Sequence, residues 1–205
     1  MLAIIDYGAG NLRSVQKACE AVGTQAHITS NPAEILDADR VILPGVGAFG
    51  DCMQSLHQYQ LIDTIHQVVK QGKPFLGICL GMQLLFSSSE ESPGVEGLNI
   101  FPGSIVRIPE TEGFKIPHMG WNSLNFTKDS PLFHGLEGSP FVYFVHSYYM
   151  EPEDMSIVAA TCDYCGTLPV ALSHNHIFAT QFHPEKSGDV GLTILKNFTR
   201  IGGGR

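Results

Sequence analysis

Pro74-Phe75-Leu76-Gly77-Ile78-Cys79-Leu80-Gly81-Met82-Gln83 joins an apolar run to a stretch of helical periodicity through Gly-x-Cys-x-Gly. That is the cysteine form of a nucleophile elbow, a sharp strand-to-helix turn with small residues on both sides of the reactive one. The turn places a sulfur at a helix N-terminus, where the helix dipole and free N–H groups favour thiolate. The N–H of Leu80, the next residue, can point at an oxyanion. A buried, inert thiol is the ordinary fate of a free cysteine, but two glycines at a strand–helix junction favour the reactive reading.

Upstream, strand and helix patterns alternate. Leu2–Ile5 is a short apolar run, and a helix follows with Val15, Ala18, Cys19 and Val22 on one face, stopped by Gly23. Gln25–Thr29 reads as a strand, and Asn31-Pro32 as an N-cap with proline at the first helical position. Val41–Leu43 is a buried strand, and a longer helix carries Leu61, Ile65, Val68 and Val69 before Gly72. Phe75–Ile78 is the fourth strand, and Leu80–Phe86 has helical periodicity. Such alternation with short loops predicts an α/β fold: an open, twisted, mostly parallel sheet flanked by helices.

Downstream the pattern changes. Ser87–Gly97 reads as a polar loop, followed by strand candidates at Ile105–Ile108, Phe141–Val145, Ile157–Thr161, Val170–Ser173 and Ile177–Gln181. Turns rather than helices separate them, so an antiparallel extension of the sheet is expected. A last helix spans about Val190 to Ile201, with Ile194, Leu195 and Phe198 inward, and the Gly202-Gly203-Gly204 tail is expected to fray. With no internal repeat and no linker, residues 1–205 read as one domain.

Composition narrows the function. Twenty acidic against twelve basic residues give a net charge of −8, so no basic footprint for nucleic acid or an anionic membrane is present. At 43 % apolar and 16 % charged, the 205-residue chain is not disordered. No apolar run approaches the roughly 18–20 residues of a bilayer span. The N-terminus lacks a secretory pattern, and five cysteines without framework spacing suit a reducing cytoplasm.

A thiolate needs a base, and nine histidines compete. His183 stands out because it ends the apolar strand Ile177–Gln181 and is followed by Pro184-Glu185. On extended backbone, i and i+2 project to one side, so Glu185 would accept the Nδ1 proton and aim the ring at sulfur. The fold must then unite residues 104 positions apart. A third element, Pro44-Gly45-Val46-Gly47-Ala48-Phe49-Gly50, follows a buried strand; its glycines allow close backbone approach to a ligand.

In this order, the PGVGAFG loop, GICLGMQ and QFHPEKS resemble the class I, triad-type glutamine amidotransferases over nearly the whole chain. The segments Ile4–Leu12 (IIDYGAGNL), Pro117–Asn122 (PHMGWN) and Phe144–Tyr149 (FVHSYY) resemble those of the members that serve histidine biosynthesis. The resemblance implies a triad of Cys79, His183 and Glu185. It implies an oxyanion hole from Leu80 N–H and a backbone N–H of Val46 or Gly47. Glutamine contacts are implied for Gly47, Gln83, Glu91, Ser147 and Tyr148. The activity implied is hydrolysis of L-glutamine to glutamate and ammonia through a thioester, with no cofactor and no metal.

Ammonia released into neutral water would be protonated. The chain lacks a G-x-x-x-x-G-K-[ST] loop, and Gly8-Ala9-Gly10 lacks the third glycine of a dinucleotide fingerprint, so a separate chain should receive the ammonia. The resemblance implies a heterodimer with a (β/α)₈-barrel cyclase subunit, ammonia channelling, and formation of imidazole glycerol phosphate and an aminoimidazole carboxamide ribotide. Gly10, Asn11, Trp121, Asn122 and Lys186 are the expected interface, although core packing is equally open for Trp121. Rival readings are the glutaminase of another synthase, such as the one making pyridoxal phosphate, a catalytically silent subunit, and a stand-alone cysteine hydrolase. Cys162-x-x-Cys165 followed by His174-x-His176 has poor zinc spacing, and no helix follows it as in a thioredoxin site.

Overall fold

The computed structural model describes residues 1–202, so the Gly203-Gly204 part of the expected frayed tail lies outside the described residues. The first half forms β1 (Leu2–Ile5), α1 (Leu12–Ala21), β2 (Ala26–Thr29), α2 (Pro32–Asp37), β3 (Arg40–Gly45), α3 (Phe49–Gln58), α4 (Ile62–Lys70), β4 (Phe75–Cys79) and the one-turn α5 (Leu80–Gln83). The second half adds β5 (Phe86–Ser89), β6 (Phe101–Arg107), β7 (His118–Ser123), β8 (Asn125–Phe126), β9 (Phe141–His146), β10 (Tyr148–Pro152), β11 (Val158–Asp163), β12 (Thr167–His174), β13 (Ile177–Thr180) and α6 (Gly188–Arg200). Asn31 caps α2 as expected, its side chain accepting from Ala33 N at 2.9 Å with Pro32 opening the helix.

Eight strands form the main sheet in the order β2-β1-β3-β4-β13-β12-β11-β8. The first five run parallel, and β12, β11 and β8 continue the sheet antiparallel. Alternation along β1 sends Ala3 and Ile5 to one face and Leu2 and Ile4 to the other. One face buries α3 and α4 through Phe49, Met53, Leu56, Ile65 and Val68. The other buries α1 and α6 through Val15, Cys19, Ile194, Leu195 and Phe198. Full burial of Phe198 makes truncation to alanine cost about 3–5 kcal/mol. No helix among the described residues is long and apolar enough to cross a membrane.

One pairing matters most for the site. β13, from the far end of the sequence, lies parallel to β4 with Thr180 beside Ile78. Parallel neighbours end at the same edge, so the residues after Thr180 emerge beside Cys79. A three-stranded sheet, β10-β6-β5, and the antiparallel ribbon β7-β9 complete the structure.

Several expectations need correction. The helix carrying Ile65, Val68 and Val69 is α4 as expected, with Leu61 at its N-cap, but a separate helix, α3, precedes it, and Gln60 with φ +56° divides the two. Helical periodicity over Leu80–Phe86 yields only one helical turn, because Phe86 already pairs with Phe101 in β5 and β6. The polar Ser87–Gly97 stretch is therefore strand at its start; an edge strand of serines carries no apolar alternation to betray it. β7 and β10 carry no strand signature of their own, because Gly120 interrupts one and Pro152 ends the other.

Candidate active site

Cys79 ends β4 with φ +55° and ψ −112°, a backbone region that L residues avoid. Its surroundings hold it there. A Cβ on Gly81 would sit 1.8 Å from the Leu43 carbonyl oxygen, and one on Gly77 would lie 2.8 Å from the Gly81 oxygen. Gly45, on the neighbouring strand, has the Gly81 nitrogen 2.7 Å from where its Cβ would be. The elbow glycines are there for space: three backbones meet where no side chain fits. The helix after Cys79 is a single turn, so its macrodipole is small, and the free N–H of Leu80 is the stronger local effect.

His183 follows β13 and is 2 % exposed. Its Nδ1 donates to Glu185 Oε1 at 2.8 Å, and the ring and the Cys79 sulfur both bound the same cavity. Glu185 reaches it from the 3₁₀ turn Pro184–Lys186 rather than from extended backbone, since Pro184 starts a turn. Glu185 Oε2 is buried without a partner among the described residues, so there the carboxylate's hydrogen bonding goes through the imidazole. Burial opposes charge on His183, but the neighbouring Cys79 and the hydrogen-bonded Glu185 outweigh burial and raise it to about 10.

A cavity of about 320 Å³ opens over the sulfur and is bounded by Val46, Gly47, Leu80, Gln83, Glu91, Ser147 and Tyr148 together with Cys79 and His183. Each position expected to form the oxyanion hole or touch glutamine lies on its wall. Val46 and Gly47 form the turn after β3, and Gly47 has φ +101°. Gln83 Nε2 donates to the Tyr148 carbonyl at 3.3 Å and to Gln181 Oε1 at 3.0 Å. Both amide protons are used, which leaves Gln83 Oε1 as an acceptor for a ligand. Glu91 Oε2 accepts the Phe49 N–H at 2.8 Å, and Ser92 Oγ accepts the Gly50 N–H at 2.9 Å. These two residues cap α3, whose own N-cap, Ala48, cannot.

Three residues at the site were not singled out by the sequence. Gln181 is fully buried, with Nε2 3.7 Å from Cys79 Sγ. It stands two residues before His183, and that alternation was the available signal. Cys52 Sγ donates to the Val46 carbonyl at 3.5 Å, beneath the loop. His146 also bounds the cavity, but both its nitrogens are occupied, by the Tyr148 carbonyl at 2.8 Å and by His118 at 2.9 Å. It cannot act as a base, and of the two imidazoles on the wall only His183 can.

The five interface candidates are scattered differently. Trp121 is 56 % exposed, which settles it as a surface residue. Its ring meets Tyr143 edge-on at 6.2 Å, and Lys186 Nζ lies 5.9 Å from the Tyr143 centroid. Asn122 faces the other way along β7, donating to the Asp163 carbonyl at 3.1 Å. Gly10 packs toward Pro44, and Asn11 opens α1 without using its side chain as a cap. Cys162 is buried in β11, where burial and Asp163 push its thiol up to about 12.

A thiol, an imidazole and a buried carboxylate meet at the edge of a parallel sheet, beside a glycine-rich turn. The chain belongs to the glutamine amidotransferase class-I family, whose description it matches over residues 3–201. Within that family it is 54 % identical to the imidazole glycerol phosphate synthase subunit HisH of Syntrophotalea carbinolica, over 97 % of this chain and 98 % of the relative. It is 52 % identical to the subunit of the same name from Methanothermobacter thermautotrophicus, over 98 % of each chain. Among solved structures, a glutamine amidotransferase superposes with a TM-score of 0.74 at 20 % identity, over 96 % of this chain and 98 % of the other. PurLQS from Thermotoga maritima gives 0.74 at 17 % identity over 97 % of each. At such identities these two establish the fold alone.

Proposed function

We propose that this chain is the glutaminase subunit of an imidazole glycerol phosphate synthase. It hydrolyses glutamine to glutamate and ammonia and delivers the ammonia to a (β/α)₈-barrel cyclase subunit in the cytoplasm. The observation that carries the reading is that Cys79, His183 and Glu185, scattered over 107 residues of sequence, meet under one cavity whose wall holds every expected glutamine contact.

In this reading Cys79 thiolate attacks the side-chain amide carbon of glutamine. The tetrahedral oxyanion is held by Leu80 N–H and a second backbone N–H from the Val46–Gly47 turn. His183 gives a proton to the departing ammonia as the C–N bond breaks, leaving a thioester. His183 then takes a proton from water, hydroxide adds to the thioester, and glutamate leaves with Cys79 restored. Glu185 keeps the imidazole in one tautomer and stabilises its charge. Glu91 Oε1 and Gln83 Oε1 suit the α-ammonium, and Ser147, whose hydroxyl makes no hydrogen bond within the described residues, suits the α-carboxylate. The exposed Trp121–Tyr143–Lys186 cluster, with Gly10 and Asn11, is the proposed cyclase face; Asn122 follows Trp121 in β7 but turns to the opposite side.

The test is glutamate release by the purified pair of subunits. Cys79→Ala should lower it by at least about 10⁴-fold, because triad members act as a unit. A variant that keeps most of the activity refutes the assignment. Isolated subunit should turn over slowly, with stimulation when the cyclase holds its ligand; equal rates with and without the partner would refute this coupling.

A further inference from the structure

The ribbon β7–β9 contains two buried imidazoles that the proposed chemistry does not use. His118 is 3 % and His146 5 % exposed. The hydrogen bonds around them have one direction. A carbonyl only accepts, so His146 Nδ1, 2.8 Å from the Tyr148 oxygen, carries the proton. At the far end, Asn122 Oδ1 accepts from Ser123 N at 2.8 Å, and its Nδ2 donates to the Asp163 carbonyl at 3.1 Å. The same Nδ2 faces His118 Nε2 at 3.4 Å, so that nitrogen is bare and accepts. His118 Nδ1 must then donate to His146 Nε2 across 2.9 Å. Both rings are neutral Nδ1–H tautomers, fixed from both ends. Stacking between Phe144, at 4.6 Å, and Tyr164, at 3.9 Å, holds the His118 plane.

The relay ends on the Tyr148 carbonyl, which also accepts from Gln83 Nε2 at 3.3 Å. Both lone pairs of that oxygen are therefore engaged by donors from different elements. The Ser147 carbonyl, one residue earlier, accepts from Ile108 N at 2.9 Å. The chain passes here from the ribbon to the three-stranded sheet, and Ser147 and Tyr148 form the cavity wall opposite Val46 and Gly47.

We propose that His118 and His146 are positioning residues for glutamine: the chain Asn122→His118→His146→Tyr148 carbonyl fixes the Ser147–Tyr148 turn and ties it to β7, whose other face exposes Met119 and Trp121. This rests on the glutaminase reading of the cavity. Burial supports it, pushing His118 down to about 4 and His146 to about 3, so neither ring adds a cation beside His183. The titratable groups against the pair are Tyr164 on one side and His183 on the other; no carboxylate pairs with either ring among the described residues.

Kinetics of the two-subunit enzyme distinguish this from packing. His118→Phe keeps the aromatic stack and removes the Nδ1–H; KM for glutamine should rise about ten-fold with kcat within about two-fold. His118→Asn loses the stack but places an amide N–H where Nδ1–H stood, and should recover most of the KM. A purely structural role ranks the variants the other way, with Phe near wild type, and would overturn the inference. Should either variant fail to fold, ¹⁵N NMR of the wild-type rings at pH 6 decides: two neutral Nδ1–H tautomers support the relay, and an Nε2–H tautomer or a protonated ring refutes it. Unchanged KM in both variants, with Cys79→Ala inactive, sinks the relay and leaves the glutaminase reading standing. Glutamate release that survives Cys79→Ala sinks both.

Discussion

Two turns leave adjacent parallel strands at the same edge of the sheet, and they are built in opposite ways. The turn after β4 is crowded: Gly77 and Gly81 lie where any Cβ would overlap backbone. The turn after β3 is open: Val46 is 42 % exposed, and a Cβ on Gly47 would meet nothing within 4 Å. Glycine in the first turn supplies space, and in the second it supplies φ. The contrast divides the pocket into a crowded side, with Cys79 and the Tyr148 turn whose carbonyl accepts two hydrogen bonds, and a freer side, with the proposed oxyanion donor. The freer side is held by its ends and by one weak thiol contact from Cys52.

The contrast can be broken most severely at Gly81. Gly81→Ala drives a methyl to 1.8 Å from Leu43 O, and should cost more than about 4 kcal/mol or prevent folding, read by denaturant unfolding. Gly47→Ala should fold, since the position is open, with strain of roughly 1–2 kcal/mol at φ +101°. Its glutamine hydrolysis should nevertheless drop by about 10²-fold as the backbone N–H moves. Wild-type turnover in that variant would remove this turn from the oxyanion hole.

The crowded side has a pH dependence of its own. His118 and His146 have folded values near 4 and 3, below the ordinary 6.5. The unfolded chain binds protons first, so their contribution is present above pH 6.5 and is lost as pH falls. Between pH 6.5 and 5 each ring should remove roughly 1.5 kcal/mol of stability. His118→Phe should flatten that slope in chemical unfolding, and an unchanged slope would show that the ring already shares protons with solvent. The smallest effect belongs to the cap of the open turn. Ser92→Ala removes the acceptor of Gly50 N–H and should cost about 1 kcal/mol, with a modest fall in kcat. No change in melting temperature would show that water replaces the hydroxyl.

Sequence reasoning reached the parallel half well because its strands are buried on both faces and read as apolar runs, as in Val41–Leu43 and Phe75–Ile78. It fared worse on β5 and β7, which are edge or ribbon strands with polar or glycine-broken patterns. Gln181 and His146 went unassigned for a related reason. A buried polar residue declares its use only through partners distant in sequence, here Gln83 and Cys79 for one, and His118 and the Tyr148 carbonyl for the other.

The amino-acid sequence alone determined the local chemistry: a cysteine between glycines at a strand end, an imidazole two residues from a carboxylate, and a glycine turn after a buried strand. Those depend on residue type and short-range geometry, which the chain carries with it. Only tertiary structure decided that β13 inserts beside β4, that Glu185 answers His183 from a 3₁₀ turn, and that one of two pocket imidazoles has no free nitrogen. Strand order and hydrogen-bond direction are set by the sum of many distant contacts, and no local pattern encodes a sum.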